Sequence, residues 1–325
     1  MLEHGGRLRA AARQYGIPLA DWLDLSTGIN PDGWPVPSIP AETWTRLPED
    51  DDGLMEAARA CYGARHLLPV AGSQAAIQVL PRLRPPCRVG VVAPGYAEHA
   101  HAWRQAGHEV VAVGAALDDR DLLDGLDVLV LIHPNNPSGR TYAPAILLEW
   151  RARLGGWLVV DEAFMDATPE SSLAAHSHQP GLIVLRSLGK FFGLAGARVG
   201  FVLAEAALLE RLRDLLGPWA VCGPARHVAT LALRDAAWQA AARPKLIAAG
   251  ARLADVLAHH GLPPDGGCAL FQRVETARAG EIHAALARRG ILTRRFEHPA
   301  SLRFGLPKNA SEWARLDAAL AHLRP

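Results

Sequence analysis

Residues 187–200 read SLGKFFGLAGARVG and adjoin two apolar runs, Leu182–Leu185 and Val199–Leu203. Uninterrupted apolar runs of this kind are typical of buried β-strands. The loop between them contains glycines, Lys190 and, eight residues later, Arg198. A lysine amine that is partly desolvated near other cations loses its proton and becomes nucleophilic. The pattern therefore predicts a Schiff base between Lys190 and an aldehyde cofactor, whose phosphate Arg198 would bind through two hydrogen bonds.

The arrangement S-x-x-K followed by G-x-x-G-x-R-x-G resembles the lysine loop of the pyridoxal-phosphate (PLP) enzymes that have the aspartate-aminotransferase fold. The resemblance implies that Lys190 carries the cofactor and that Ser187 and Arg198 bind its phosphate. A glycine-rich turn with a solvated lysine is the alternative, because short motifs of this kind also occur by chance. The rest of the chain has to separate the two interpretations.

The chain has 325 residues, half of them hydrophobic, and a formal net charge of +1. Such a chain is long enough for two domains with a substantial core. The small net charge gives no reason to expect nucleic acid or an acidic membrane surface as a partner. The N-terminus lacks an apolar signal-peptide region, no apolar run is long enough to span a membrane, and the cysteines and histidines lack metal-ligand spacing. We expect a cytoplasmic protein without a metal site.

Strand-like apolar runs alternate with helical patterns through the middle of the chain. The predicted strands include Arg88–Ala93, Asp127–Ile132 and Trp157–Val160. This alternation predicts an α/β fold with a mostly parallel sheet covered by helices. Ligands of such sheets bind beyond the carboxyl ends of the strands. Four side chains follow predicted strands and are therefore expected at one site: Tyr96, Asn136, Asp161 and Lys190.

The chain is expected to contain three parts, the large and small domains of the PLP-dependent transferase fold preceded by an arm. Prolines interrupt residues 1–45, which are predicted to form an N-terminal arm that contributes to the small domain and the site. Residues 46–217 are predicted to form the large PLP-binding domain. Residues 218–325 are predicted to form a smaller C-terminal, substrate-binding α/β domain, whose long helical region is interrupted near Pro244.

Two further motifs place polar side chains after predicted strands. Asp161 ends the run VVD of residues 159–161, where a carboxylate is costly unless it is paired. In the resembling family this aspartate keeps the pyridine nitrogen of PLP protonated, so that the ring accepts electrons, and the match of Asn136 donates to the phenolic oxygen. Alone, these residues could be a helix cap and a plain turn. Asn136, Asp161 and Lys190 follow one another in the family's order, 25 and 29 residues apart. The three motifs together are far more specific than any one of them.

A glycine turn that opens a predicted helix lies at residues 70–77, VAGSQAAI. The free N–H groups and the positive dipole end of such a helix favour an anion, although a serine there is more often only a cap. The resemblance implies that Gly72, Ser73 and Gln74 bind the cofactor phosphate. It also implies that Tyr96 stacks on the cofactor ring.

The sequence departs from the family pattern at two aromatic positions. Phe164 stands where many relatives have a tyrosine whose hydroxyl supports the phenolic oxygen, which leaves Asn136 as the chief donor. Phenylalanine is compatible with the threonine-phosphate decarboxylase branch of the family. Leu47 stands where many relatives have a tyrosine that reaches the cofactor phosphate of the neighbouring subunit. We do not expect that contact in this chain.

The resemblance also suggests substrate-binding residues. Arg303 matches the arginine that binds the substrate α-carboxylate, and Arg294 matches an arginine that the decarboxylase branch uses for substrate anions. His4 begins an H-G-G that the same branch shares, and Asn30 belongs to an N-x-N-P-like loop of the substrate pocket. The alternatives are solvated strand-end charges and ordinary surface turns. Two arginines and His4 would suit a doubly anionic substrate such as an amino acid phosphate.

The resemblance covers nearly the whole chain and implies a function. It implies PLP-dependent decarboxylation of L-threonine O-3-phosphate to aminopropanol phosphate for cobalamin biosynthesis, by a homodimer with its site near the subunit boundary. A histidinol-phosphate-type aminotransferase is the leading alternative because it uses the same residues. The two reactions differ in whether the Cα–carboxylate or the Cα–H bond stands perpendicular to the cofactor ring. A non-catalytic PLP-binding protein is a third possibility, against which the complete residue set argues.

Overall fold

The computed structural model describes residues 4–114 and 123–323. The chain falls into two compact units. Unit 1 comprises Met1–Asp32, Pro137–Gly139 and Pro244–Pro325, and unit 2 comprises Gly33–Asn136 and Arg140–Arg243. The sequence-based domain boundaries, after residues 45 and 217, differ from these divisions and stay a prediction.

The described residues contain strands and helices in alternation. The strands are β1 (Leu23–Leu25), β2 (Leu67–Val70), β3 (Arg88–Ala93), β4 (Glu109–Gly114), β5 (Val128–Ile132), β6 (Trp157–Asp161), β7 (Leu182–Ser187), β8 (Gly200–Leu203), β9 (Gly266–Cys268), β10 (Phe271–Glu275), β11 (Ile291–Phe296) and β12 (Ser301–Gly305). The α-helices are α1 (Leu8–Tyr15), α2 (Glu42–Thr45), α3 (Leu54–Tyr62), α4 (Ser73–Val79), α5 (Ala97–Gln105), α6 (Pro144–Arg153), α7 (Ala206–Leu216), α8 (Gly223–Arg234), α9 (Ala236–His259), α10 (Ala279–Ala287) and α11 (Ala310–Ala321).

Unit 2 is built on a seven-stranded sheet with the order β2-β8-β7-β6-β5-β3-β4. Strands β3 to β7 pair in parallel, whereas β8 is antiparallel to both of its neighbours. Every residue of β5, β6 and β7 is buried, as expected of parallel strands that are covered on both faces. Each fully buried Val, Leu or Ile side chain contributes about 1.5–3 kcal/mol to folding. The central strands therefore form a rigid base for the residues that follow them.

Unit 1 contains a five-stranded sheet with the order β1-β11-β12-β10-β9. Strand β1 pairs in parallel with β11, and the remaining pairs are antiparallel. The sequence analysis did not predict the strand Leu23–Leu25 within residues 1–45, although this strand joins the sheet and Leu25 is fully buried. Pro18 and Pro31 flank the strand instead of interrupting it.

The long helical region is interrupted at Asp235 and not near Pro244 as predicted. Helix α8 ends at Arg234, and α9 continues from Ala236 to His259 with Pro244 inside it. The Asp235 carboxylate accepts a hydrogen bond from the backbone N–H of Trp238 at 2.9 Å. This side-chain cap starts a new helix at that point, since it satisfies a backbone donor at the helix N-terminus.

In residues 4–114 and 123–323, no helix is long and apolar enough to cross a membrane. The same residues contain no group of three or more His, Cys, Asp and Glu side chains that could hold a metal ion.

Candidate active site

The carboxyl ends of four parallel strands of unit 2 lie at one edge of the sheet. In the strand register Ile132 pairs with Asp161, and Asp161 pairs with Leu185. The loops that follow β3, β5 and β7 carry Tyr96, Asn136 and Lys190, and Asp161 is the last residue of β6. The structure therefore places these four predicted residues at the same edge, where ligands of parallel sheets bind.

The predicted phosphate-binding residues lie at the same edge. Gly200, the first residue of the antiparallel strand β8, pairs with both Ser187 and Val70. Because β8 runs in the opposite direction, its beginning adjoins the ends of β7 and β2. Arg198 precedes Gly200, and Gly72 and Ser73 follow Val70. The fold thus joins segments that are more than a hundred residues apart in the sequence.

Close packing brings the Arg198 guanidinium against the turn before α4. A Cβ atom on Gly72 would lie 2.5 Å from Nη2 of Arg198, and a Cβ on Gly200 would lie 2.6 Å from the backbone nitrogen of Ser73. Gly72 also has a φ of +73°, which favours glycine. Arg198 itself has a φ of 54°, a costly conformation that occurs often at functional sites. A guanidinium beside the free N–H groups of a helix start is suited to a phosphate.

The side chain of Gln74 is engaged by two neighbours. Its amide nitrogen donates to Glu98 at 3.0 Å, and its amide oxygen accepts from the Tyr96 hydroxyl at 3.2 Å. Its backbone N–H belongs to the first turn of α4, where helices leave donors without intrahelical partners. Burial, together with the charges of Glu98 and Asp161, raises the pKa of Tyr96 to about 12 against the opposing effect of Arg198. Tyr96 is therefore a neutral phenol at physiological pH.

Asp161 is held by a histidine that the sequence analysis missed. One carboxylate oxygen accepts from the backbone N–H of Ala163 at 3.0 Å, and the other lies 2.9 Å from Nε2 of His99. The side chains of His99 and Asp161 are only 2% and 5% exposed, so water has little access to this pair. His99 lies on α5, three residues after Tyr96, which immediately precedes that helix, and the centroids of the two rings are 6.3 Å apart. That spacing was the available signal, and it is weak without the structure.

Lys190 and Asn136 have defined surroundings. The Lys190 amine lies 5.4 Å from the centroid of the buried Phe164 ring, within the range of cation–π attraction. The turn that carries Asn136 is fixed by His133, whose Nε2 is 3.2 Å from the Ser171 carbonyl oxygen and whose Nδ1 accepts the Tyr142 N–H at 3.3 Å. Burial lowers the pKa of His133 against the opposing charge of Glu162. A neutral imidazole satisfies both contacts.

A buried ion-pair network, also missed by the sequence analysis, lies directly before Ser187. Arg186 donates to Glu162 at 2.7 Å and to Asp166, and its guanidinium lies 4.5 Å from the centroid of the Tyr62 ring. Burial raises the pKa of Asp166. Burial alone would lower the pKa of Arg186, but the two carboxylates outweigh that effect and raise it. The network joins the loop after β6 to the end of β7.

Unit 1 holds the predicted substrate arginines. Arg294 on β11 and Arg303 on β12 are direct cross-strand partners. The buried Arg303 donates to the carbonyl oxygen of Ser26 at 2.8 Å, and its guanidinium lies 5.1 Å from the centroid of the Phe271 ring. Burial, together with the charge of Arg294, lowers the pKa of Arg303 to about 10. Paired like charges are destabilising, and a bound anion would relieve their repulsion.

The two other predicted substrate residues also belong to unit 1. His4 is exposed. Asn30 is 4% exposed, and its side-chain oxygen accepts the backbone N–H of Asp32 at 2.9 Å. The remaining predicted site residues belong to unit 2. The predicted roles of all these side chains toward a ligand stay predictions.

The chain is similar to a known protein family and to individual proteins of that family. Residues 54–321 match the model of the aminotransferase class I and II family. The chain is 64% identical over 323 residues to a threonine-phosphate decarboxylase of Pseudomonas aeruginosa, covering 98% of this chain and 97% of the relative. It is 45% identical over 336 residues to a threonine-phosphate decarboxylase of Sinorhizobium sp, covering 98% of both.

A solved structure shows the same fold. The histidinol-phosphate aminotransferase from Sinorhizobium meliloti, in complex with pyridoxal-5'-phosphate, superposes with a TM-score of 0.82 at 21% identity, covering 99% of this chain and 95% of that one. These findings confirm the family and the α/β fold class that were predicted from the sequence. The chain belongs to the aminotransferase class I and II family.

Proposed function

We propose that the protein is a PLP-dependent lyase that decarboxylates L-threonine O-3-phosphate to aminopropanol phosphate. The observation that carries the proposal is the 64% identity, over nearly both whole chains, to a threonine-phosphate decarboxylase. The gathering of the cofactor-type residues of unit 2 at one sheet edge supports it, because an enzyme of this kind needs all of them together.

The residues of unit 2 fit the cofactor. The Arg198 guanidinium packs so closely against Gly72 that no Cβ fits at position 72. The guanidinium and the start of α4 both present N–H donors, which a phosphate requires. The proposed contacts are Lys190 with the aldehyde carbon, Asp161 with the ring nitrogen, Asn136 with the phenolic oxygen, Tyr96 with the ring, and Gly72, Ser73, Gln74, Ser187 and Arg198 with the phosphate. When bound, PLP supplies an electron-accepting ring that stabilises negative charge at the substrate α-carbon.

The side chains of this protein would prepare, orient and protonate the substrate. His99 and the Ala163 N–H each donate a hydrogen bond to the Asp161 carboxylate and hold it in place. A carboxylate held in this way favours a cationic partner as a further donor. Arg303 would bind the α-carboxylate, and Arg294 and His4 would bind the phosphate ester, with Asn30 lining the pocket. These contacts decide which bond at the α-carbon stands perpendicular to the ring. Lys190 would hold the proton that replaces the lost carboxylate.

An aminotransferase of the histidinol-phosphate type is the second candidate. The solved histidinol-phosphate aminotransferase with the same fold is the observation that favours it. At 21% identity that likeness concerns the fold alone, whereas the relatives with 64% and 45% identity are threonine-phosphate decarboxylases. The comparison of sequences therefore favours the decarboxylase.

We further propose a cytoplasmic homodimer that acts in cobalamin biosynthesis. Unit 2 exposes three large apolar side chains, since Trp44 is 68%, Leu47 64% and Trp219 58% exposed. Burial of such side chains against a second copy of the chain would remove apolar surface from water. Light scattering of the PLP-loaded protein is expected to give twice the mass of the chain, and a monomer that is fully active would contradict the proposed dimer.

The deciding experiment follows carbon dioxide and keto-acid formation in parallel. PLP-loaded protein is incubated with L-threonine O-3-phosphate, and separately with histidinol phosphate and 2-oxoglutarate. We expect carbon dioxide and aminopropanol phosphate from the first mixture and no keto-acid exchange in the second. Transamination without carbon dioxide would move the function to the aminotransferase.

Two substitutions test the assigned residues. Lys190→Ala is expected to abolish both the visible absorbance and the activity, whereas Lys245→Ala, an exposed lysine of unit 1, is expected to leave both unchanged. Arg303→Ala is expected to weaken substrate binding much more than PLP binding. Equal losses of both affinities would contradict the role assigned to Arg303.

A further inference from the structure

The N-terminal H-G-G segment and the Arg303 guanidinium contact the same residue, Ser26. Ser26 directly follows β1 and is 1% exposed. Its hydroxyl oxygen accepts the backbone N–H of Gly6 at 2.7 Å and donates its proton to Asp24 at 2.6 Å. Its carbonyl oxygen accepts from Nη2 of Arg303 at 2.8 Å. One buried residue thus holds both the segment and the arginine.

The packing at Ser26 explains why glycines follow His4. A Cβ atom on Gly5 would lie 2.3 Å from the carbonyl oxygen of Ser26, which is the atom that receives Arg303. Gly6 has a φ of +77°, which disfavours other residues. Any side chain at position 5 would force the segment away from Ser26, because the obstructing atom belongs to the backbone. Gly5 and Gly6 therefore allow the backbone of the N-terminal segment to pack closely against Ser26.

This contact limits where His4 can lie. Two residues of extended chain span at most about 7 Å, so the backbone of His4 stays within that distance of the anchored Gly6. His4 is exposed, and chain termini are poorly ordered unless they are tied down. The hydrogen bond of Gly6 to Ser26 is such a tie. It holds His4 near the residue that also orients Arg303.

We propose that Ser26 is a positioning residue that anchors the N-terminal segment, so that His4 and Arg303 serve one substrate with two anionic groups. This inference rests on the proposed function for the identity of that substrate. Ser26 does not contact the reacting atoms in this scheme. It acts through its hydroxyl on the segment and through its carbonyl on Arg303.

The first test is a double-mutant cycle of Ser26→Ala and His4→Ala, measured with L-threonine O-3-phosphate. Loss of one net hydrogen bond corresponds to about a fivefold effect. Ser26→Ala is expected to raise KM about fivefold, with kcat and PLP affinity changed by less than about twofold. In the His4→Ala background the same substitution is expected to add less than about twofold, because coupled residues are not additive. Full additivity, or a loss confined to kcat, would overturn the inference.

The second test does not depend on the substrate. Arg7 is exposed and follows the anchored Gly6. Trypsin is expected to cleave after Arg7 about fivefold faster in Ser26→Ala and in Gly5→Ala than in the wild type. Ser177→Ala is the control, since Ser177 is a fully buried serine of unit 2 whose hydroxyl donates to Ala174. Its cleavage rate should stay at the wild-type value.

The two tests separate this inference from the proposed function. Wild-type protein that releases no carbon dioxide from L-threonine O-3-phosphate refutes the function, and the cleavage rates still decide whether Ser26 anchors the segment. Equal cleavage of the wild type and both variants refutes the anchor even in an active decarboxylase. Ser26→Thr keeps the hydroxyl, and trypsin cleavage after Arg7 as slow as in the wild type would support the anchoring role of Ser26.

Discussion

Replacing His99 by leucine should weaken PLP binding through Asp161. The structure gives the Asp161 carboxylate two donors, Nε2 of His99 at 2.9 Å and the Ala163 N–H at 3.0 Å, one on each oxygen. Leucine fills a similar volume but donates nothing. Because the pair is 2% and 5% exposed, water cannot readily replace the lost donor. A hydrogen bond to a charged group contributes about 1.5–3 kcal/mol.

The expected loss of PLP affinity is therefore about 10- to 100-fold. The Asp161 carboxylate, which we propose to face the cofactor ring nitrogen, is the group destabilised, so the loss should appear in the PLP dissociation constant itself. Titration of apoprotein with PLP, followed by visible absorbance, measures it directly. His99→Gln keeps an amide donor near the position of Nε2 and is expected to recover part of the affinity.

A buried histidine of the same unit provides the control for general damage. His108 is 6% exposed, and its Nε2 lies 2.9 Å from the Pro81 carbonyl oxygen. His108→Leu should lower the free energy of unfolding without a comparable loss of PLP affinity. The reasoning fails if His99→Leu binds PLP within about twofold of the wild type, or if both leucine variants lose the same affinity.

Two further predictions concern the surroundings of the site. Burial lowers the pKa of His133 in the folded protein, so the unfolded chain binds the proton at a higher pH than the folded chain does. The free energy of unfolding should therefore fall as the pH drops below the ordinary pKa value of 6.5. Urea unfolding at several pH values should show that the free energy of unfolding depends less on pH in His133→Gln. Arg186→Met leaves Glu162 and Asp166 buried without their cation. It is expected to lower the free energy of unfolding by about 3–5 kcal/mol. A loss below about 1 kcal/mol, measured by urea unfolding, would contradict this expectation.

The sequence predicted which residues lie together at one edge of the sheet, because the signals for the strands are local. Asn136, Asp161 and Lys190 each follow an apolar run, and parallel strands align their carboxyl ends whatever lies between them. The strand Leu23–Leu25 was missed because it is only three residues long and pairs with Ile291–Thr293. A contact between residues so far apart leaves no periodicity in either segment.

Side-chain partnerships were beyond the reach of sequence patterns. His99 and Asp161 are 62 residues apart, and nothing in either segment specifies the other. Gln74 illustrates the same limit, since the family resemblance implied a phosphate contact but could not show that its side-chain amide contacts Glu98 and Tyr96. Ser26 was not singled out by the sequence analysis, although it joins Gly6 to Arg303. Such roles depend on which distant atom fills each hydrogen-bonding position.

The run of residues 159–166, VVDEAFMD, contains three carboxylates, and the fold gives them different partners. Glu162 and Asp166 both bind the guanidinium of Arg186. Asp161 instead receives one donor on each oxygen, from Ala163 and His99. Since Arg186 is occupied by the other two acids, it does not neutralise Asp161. Of the three acids, Asp161 is therefore the one suited to pair with the nitrogen of a bound cofactor, and the ion-pair network beside it contributes by keeping the arginine away.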